Sequence, residues 1–372
     1  MTPHTATRFG SYAPGDVTWL LTDLSDVALE QGTEDREEAI QSGVHYSEML
    51  PIEYQPDQAY LDMFHEALAD SAARLAIAVG VVGEQIVEAH AEHRVTPVLV
   101  SLARAGTPIG VLLRRYLKHA HGIDAPHYTI SIIRGRGIDE VALSDILQAH
   151  PDTAIRFVDG WTGKGAIQRQ LTAAVEAWNT TYGTRIDDQL AVLADTGHCT
   201  TFYGTRDDFL IPSACLNSTI SGLVSRTVHR ADLIKPGMYH GAKFYAEYAD
   251  GDVSQHYVDT IEAQFPLVAA EIATAYAEHM ASDRTATWRG WTITEMLAEQ
   301  YGITDINLAK PGVGETTRVL LRRVPWKILI NPTRMSDLTH VLALAQARNV
   351  PVEEVEGLPY SCVGLIKQMT KD

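Results

Sequence analysis

Apolar and polar positions along this chain alternate between two rhythms. From Tyr60 to about His93, the apolar residues Leu61, Phe64, Leu68, Leu75, Ile77 and Val81 recur at helical spacing, which predicts one or two helices with a buried stripe and a break near Gly80 and Gly83. Pro97-Val98-Leu99-Val100-Ser101-Leu102 is short and rich in β-branched residues, as a buried strand requires. It leads through Ala103-Arg104-Ala105-Gly106-Thr107-Pro108 into an amphipathic helix reaching Leu117. Further strands are predicted at Tyr128–Ile133, at Ile155–Val158 and at Leu190–Ala194, the last ending on Asp195-Thr196-Gly197. Strands alternating with helices predict a mainly parallel sheet. Ligands bind at the carboxyl edge of such a sheet, where Arg104, Arg136, Asp159 and Asp195 fall.

The flanks read differently. Residues 1–56 are broken by Pro, Gly and acidic residues, as in Tyr12-Ala13-Pro14-Gly15-Asp16, and predict short helices joined by turns. Residues 258–300 predict a long helical region. Beyond it a strand at Trp326–Ile330, a helix from about Asp337 to Arg348 and a strand at Val350–Val352 predict a small α/β domain. The expected organisation is a helical cover over 1–95, a core over 96–260, a helical connector over 261–305 and the small domain over 306–372.

Composition narrows the function classes. A chain of 372 residues predicts two or three domains, and 45% hydrophobic residues support packed cores. A net charge of −17 argues against general adhesion to nucleic acid or anionic membrane. No apolar run approaches a membrane span, and Met1-Thr2-Pro3-His4-Thr5 lacks the start of an export signal, so a cytoplasmic location is expected. Cys199, Cys215 and Cys362 are too few and too scattered for a disulfide framework or a zinc site.

The densest chemistry lies at Phe157-Val158-Asp159-Gly160-Trp161-Thr162-Gly163-Lys164-Gly165, a strand running into a carboxylate and a glycine-rich turn before a helix. Unpaired amides at a helix start favour an anion, and glycines let the backbone approach it. It is not a Walker loop, since Val158 stands where Gly is needed and Gly165 where Ser or Thr is needed. A plain structural turn fits the same residues, as solvated surface charges fit Arg134 and Arg136. Near the carboxyl end, Lys310, Arg318, Arg322, Arg323 and Lys327 gather around the single Glu315. Such a group binds RNA if its members share a side, and is otherwise a solvated helix face.

Ser101–Gly110, Ile132–Asp139, Phe157–Gly165, Leu216–Thr227 and Gln41–Met49 together resemble the StiP-type phosphoribosyltransferase-like family of bacterial tellurite-resistance and stress operons. Lys310–Glu315 through Cys362–Lys367 is similar to the Pelota-type RNA-binding domain, itself like the ribosomal L7Ae group. The resemblance implies a sheet of phosphoribosyltransferase type and magnesium-dependent chemistry on phosphoribosyl pyrophosphate or a ribose-phosphate metabolite.

By that resemblance, Asp159, Thr162, Gly163, Lys164 and Gly165 hold the ribose and its phosphate, with Asp159 also a magnesium ligand. Ala103, Arg104, Ala105 and Gly106 form a pyrophosphate loop. Arg104, Arg134 and Arg136 neutralise the leaving group beside Asp159. Asp195, Asn217, Ser218 and Arg226 frame an acceptor pocket, while Lys310, Arg318, Arg322 and Arg323 meet RNA. Related folds often form homodimers. One departure matters: Gly160 stands where phosphoribosyltransferases carry a second acid, with Asp195 the candidate replacement. That departure supports an alternative, a ribose-phosphate sensor without turnover. Some relatives carry the label of cysteine protease, and for that reading Cys215, before an apparently helical segment, is the thiol that His240 or His198 would approach.

Overall fold

Six parallel strands organise the molecule, which is described here as a computed structural model covering residues 9–32, 36, 39, 43–53, 55–91, 95–151 and 154–367, without the Arg322 side chain. They are β1 (Thr18–Trp19), β2 (Val98–Leu102), β3 (His127–Ile130), β4 (Ile155–Thr162), β5 (Leu190–Asp195) and β6 (Phe202–Thr205), in the order β1-β3-β2-β4-β5-β6. Every pairing in this sheet is parallel, as the strand and helix alternation predicts.

Both faces are covered, so alternate residues of one strand enter different cores. Leu99, Val158, Ala191 and Leu193 pack on the side of α1 (Gln58–Ala91) and α2 (Thr107–His121). Val98, Val100, Phe157 and Val192 pack on the side of α3 (Glu140–Ala149) and α4 (Ala166–Tyr182). Ser101 is buried too, its hydroxyl satisfied by Gly106 O and His127 Nε2.

Several expectations change. Helix α1 runs unbroken through Gly80 and Gly83, because these glycines admit neighbours: a Cβ on Gly80 would lie 2.6 Å from Ile272, and one on Gly83 2.4 Å from the Tyr116 ring. Strand β4 continues past Val158 to Thr162, held by β5 through the pairs Asp159–Val192, Trp161–Ala194 and Thr162–Asp195. The 258–300 region is three helices, α5 (Ser254–Glu262), α6 (Ala269–Ala281) and α7 (Arg289–Gln300). Within residues 1–56, where short helices joined by turns are predicted, the described residues include four two-residue strands. Thr22–Asp23 pairs with Gly241–Ala242, Glu30–Gln31 pairs with Leu50–Pro51, and one helical turn occurs at Tyr46–Glu48. Gln41, Ser42 and His93, named in the sequence reading, lie outside the described residues.

The C-terminal part is a mixed sheet of β7 (Ala309–Pro311), β8 (Pro325–Ile330), β9 (Val352–Glu354) and β10 (Cys362–Ile366), ordered β7-β10-β8-β9. Helices α8 (Val313–Arg322) and α9 (Thr339–Ala347) cover it. Its apolar side does not close on itself. Val313, Leu320, Leu321 and Leu338 belong to the same buried cluster as Phe209, Ile211 and Leu75 of the larger part. Among the described residues, no helix is long and apolar enough to cross a membrane.

Candidate functional site between the sheet edge and the C-terminal sheet

The strand order reverses direction at β2, whose neighbours are β3 and β4, and at such a point the outgoing loops part and leave a crevice. Here the crevice is a cavity of about 250 Å³. Ala105 after β2, Arg134 after β3, and Asp159, Trp161 and Thr162 of β4 form its floor, and the Gly163-Lys164-Gly165 turn closes one side. The opposite wall comes from the C-terminal part: Lys310 and Pro311 of β7, and Glu315 and Arg318 of α8. Thus Lys310 and Arg318 share one chamber with Arg134, Asp159 and Lys164.

The turn is built by close packing. Gly165 caps α4 at φ +82°, a left-handed conformation suited to glycine, and a Cβ there would lie 2.6 Å from Cys199 Sγ. A Cβ on Gly163 would lie 2.8 Å from Pro311 O, while Gly163 O accepts from the Tyr360 hydroxyl at 3.1 Å. Lys164 is buried and its ammonium donates to Ile306 O at 2.6 Å and Ala309 O at 3.3 Å. The turn is therefore a clasp between the two parts of the chain.

Charge inside the cavity is uneven: four cationic side chains face two carboxylates. Burial, and then Lys310, push the Lys164 ammonium down to about 7. Burial likewise lowers Lys310, against the opposing pull of Glu315. Asp159 is pushed up to about 6 by burial, although the Gly160 amide donates to it at 2.8 Å. Burial would raise Glu315 as well, but Arg318 and Lys310 together hold it below its ordinary value. Arg318 pairs with Glu315 at 3.1 Å and stacks 4.5 Å over the Trp161 ring. Arg134 lies 5.5 Å from the Tyr46 ring centroid and donates to Asn307 Oδ1 at 3.4 Å. Among the described residues no group of three or more His, Cys, Asp and Glu is disposed to hold a metal. Two carboxylates under four cations suit an anion rather than magnesium.

Other residues singled out from the sequence lie elsewhere. Arg104 is held by Glu53 at 2.9 Å, Asn217 Oδ1 at 2.9 Å and Val224 O at 3.0 Å. Ser218 binds the other oxygen of Glu53 through its amide at 3.4 Å and its hydroxyl at 3.3 Å. Arg136 is tied to Glu48 and His229 O. Arg226 donates to Tyr46 O and Met49 O, both at 3.3 Å, and burial pushes it down to about 10. Asp195 is fully buried, bound by the Thr162 hydroxyl and by the Cys199 amide at 2.7 Å. Arg323 is exposed beyond α8, and the Arg322 side chain lies outside the described residues. Ala103 and Gly106 shape the turn after β2: the Ala103 amide donates to Ile130 O at 2.8 Å, and a Cβ on Gly106 would meet Val158 O at 2.3 Å.

All three thiols are buried. Cys215 sits in the main apolar cluster, where its carbonyl accepts from the Tyr60 hydroxyl at 2.9 Å. His240 is engaged by Ser131 Oγ at 2.9 Å and stacks on His229 at 4.5 Å. Burial, and then the Asp195 carboxylate, push the Cys199 thiol up to about 12. His198 precedes it at φ +54°, its imidazole lowered by burial and by Arg206 and Arg289. The sequence reading missed Trp161, Glu315 and Tyr360 as parts of the cavity and its clasp. The one acid among five bases at 310–327 was the available signal for Glu315.

A chain with an open parallel α/β sheet, an anion-suited cavity at its switch point and a second small α/β unit closing that cavity can now be set beside known proteins. Residues 10–262 match the family model described as "Tellurite-like stress resistance cysteine protease StiP", and residues 288–368 match that of the PELOTA RNA binding domain. The chain belongs to the StiP family. It is 34% identical over 373 aligned positions to "Cysteine protease StiP" of Acinetobacter baylyi (strain ATCC 33305 / BD413 / ADP1), with 97% of this chain and 95% of that protein covered. These matches correct the main functional expectation. Magnesium-dependent phosphoribosyl transfer, with phosphoribosyl pyrophosphate as partner, gives way to the protease alternative, because both the family and the relative are named cysteine protease.

Proposed function

We propose that this chain is a cysteine protease of the StiP kind, that the cavity grips an anionic segment of its substrate, and that the C-terminal domain binds RNA. The observation that carries the protease reading is the 34% identity, over nearly the whole of both chains, to a protein named as one. The RNA reading rests on the family match over residues 288–368.

Among the three thiols, Cys199 is our choice for the nucleophile, because its sulfur lies against Gly165, a wall of the cavity. Peptide cleavage by a thiol needs the thiolate, which attacks the carbonyl carbon, expels the amine and leaves an acyl thioester for water to hydrolyse. With its thiol at about 12, Cys199 rests protonated and needs a base. His198, next to it in the chain, is held in the neutral form that accepts a proton. Arg134, Lys310 and Arg318 supply the positive field for an acidic side chain of the substrate.

The test is cleavage of a mixed-sequence peptide library, read by mass spectrometry, for the native chain and for Cys199→Ser, Cys215→Ser and Cys362→Ser. Loss of cleavage in Cys199→Ser alone, with unchanged circular dichroism, supports the assignment. Loss in Cys215→Ser alone moves the nucleophile, and cleavage by the variant with all three cysteines replaced removes the cysteine-protease reading.

A further inference from the structure

The basic residues expected to meet RNA divide between two places. Lys310 and Arg318 line the cavity, where Glu315 pairs with Arg318 at 3.1 Å and lies 3.9 Å from Lys310, so both charges are already partly answered by a carboxylate. Arg323 instead is exposed just past the end of α8. Pro311, a cavity wall, pairs with Val363 at the start of β10, whereas Lys367 follows the end of that strand.

Around Lys367 lies a second concavity of about 670 Å³, lined by Pro325, Trp326, Arg348, Asn349, Pro351 and Lys367 among others. Its lining carries two cations and no acid, in a chain whose net charge is −17. Trp326 is 38% exposed there, a large indole left open to solvent. The Lys327 ammonium lies 5.7 Å from its ring and is itself fixed by Glu353 at 2.5 Å. Flat aromatic surface rimmed by guanidinium and ammonium groups matches an unpaired base, whose face stacks on the ring while the adjacent phosphates meet the cations. A duplex keeps its base faces stacked inside and offers phosphates, 2′-hydroxyls and base edges instead, none of which stacks on an indole.

Resting on the RNA reading given above, we infer that this groove is the RNA contact of the chain and that it takes a single-stranded or looped segment, with one base stacked on Trp326 and phosphates held by Arg348 and Lys367.

The probe is a fluorescent mixed-sequence 12-nucleotide RNA, single-stranded or annealed as a blunt duplex, titrated with the whole chain in fluorescence anisotropy. The single strand is expected to bind more tightly. Trp326→Ala should weaken it by about tenfold or more, with Trp326→Phe recovering most of the loss, because base stacking on an aromatic ring is worth that much. Arg348→Gln with Lys367→Gln should weaken binding and flatten its salt dependence by about two phosphates. Lys118→Gln, an exposed position on α2, should change neither. If the native chain binds RNA but the groove variants bind equally well, or if the duplex binds as tightly as the single strand, the groove assignment is overturned while RNA binding stands. If the native chain binds neither form, the RNA reading falls and takes this inference with it.

Discussion

Asp208 and Ser361 bind each other across the two parts of the chain: the Ser361 amide donates to Asp208 Oδ2 at 2.8 Å, and the Ser361 hydroxyl donates to Asp208 O at 2.6 Å. The other carboxylate oxygen takes the Val313 amide, at the start of α8, at 2.8 Å. Asp208 is thus the polar counterpart of the shared apolar cluster. Asp208→Ala strands two buried amides and should cost about 2 to 4 kcal/mol, checked by urea unfolding.

The same carboxylate gives a pH signature. Burial pushes Asp208 up to about 6, so the folded state holds its proton more tightly than the unfolded chain does. Its contribution is present below the unfolded value near 3.9 and is lost as pH rises through about 6, amounting to roughly 3 kcal/mol. Relative to Asp208→Asn, which has no such proton to lose, the native chain should lose stability between pH 4 and pH 6. Parallel denaturation curves at pH 4.5, 5.5 and 6.5 measure the difference.

Arg104 is expected to behave as a structural residue. The Glu53 side chain is only 2% exposed, so Arg104→Ala leaves a buried carboxylate without its ion-pair partner. Such a loss costs about 3 to 5 kcal/mol. Equilibrium unfolding should register it, and a variant as stable as the native chain would show that the pair carries no such weight.

Gly83→Ala tests the packing of α1 against α2. Ala favours a helix by up to about 1 kcal/mol over Gly, but its Cβ would fall 2.4 Å from the Tyr116 ring. Overpacking of this kind costs about 1 to 3 kcal/mol. Net destabilisation in a thermal melt is the expected result, whereas Gly122→Ala, at φ +68° with nothing near its Cβ, should lose stability through backbone strain alone.

Lys164→Met should loosen the clasp. It removes two hydrogen bonds to the carbonyls of Ile306 and Ala309, just before and within β7. Limited proteolysis between residues 301 and 312 should become faster, with little change in far-ultraviolet circular dichroism.

The sequence by itself determined the parallel sheet, since β2, the first half of β4 and β5 are runs that only a doubly covered strand needs, and local periodicity records burial. It also marked the 157–165 turn and the small C-terminal α/β unit. Tertiary structure decided what the strand-end arginines do. Arg104 and Arg134 look alike in a list of residues, yet one is bound to Glu53 and the other opens on the cavity. It decided too that Gly80 and Gly83 are packing positions within one helix, and that Lys310 and Arg318 face the Asp159 turn about 150 residues earlier in the chain. Periodicity and turn chemistry are properties of neighbouring residues, so they survive in the linear order. Ion pairing and cavity formation depend on which distant surfaces meet, and only the folded chain fixes those distances.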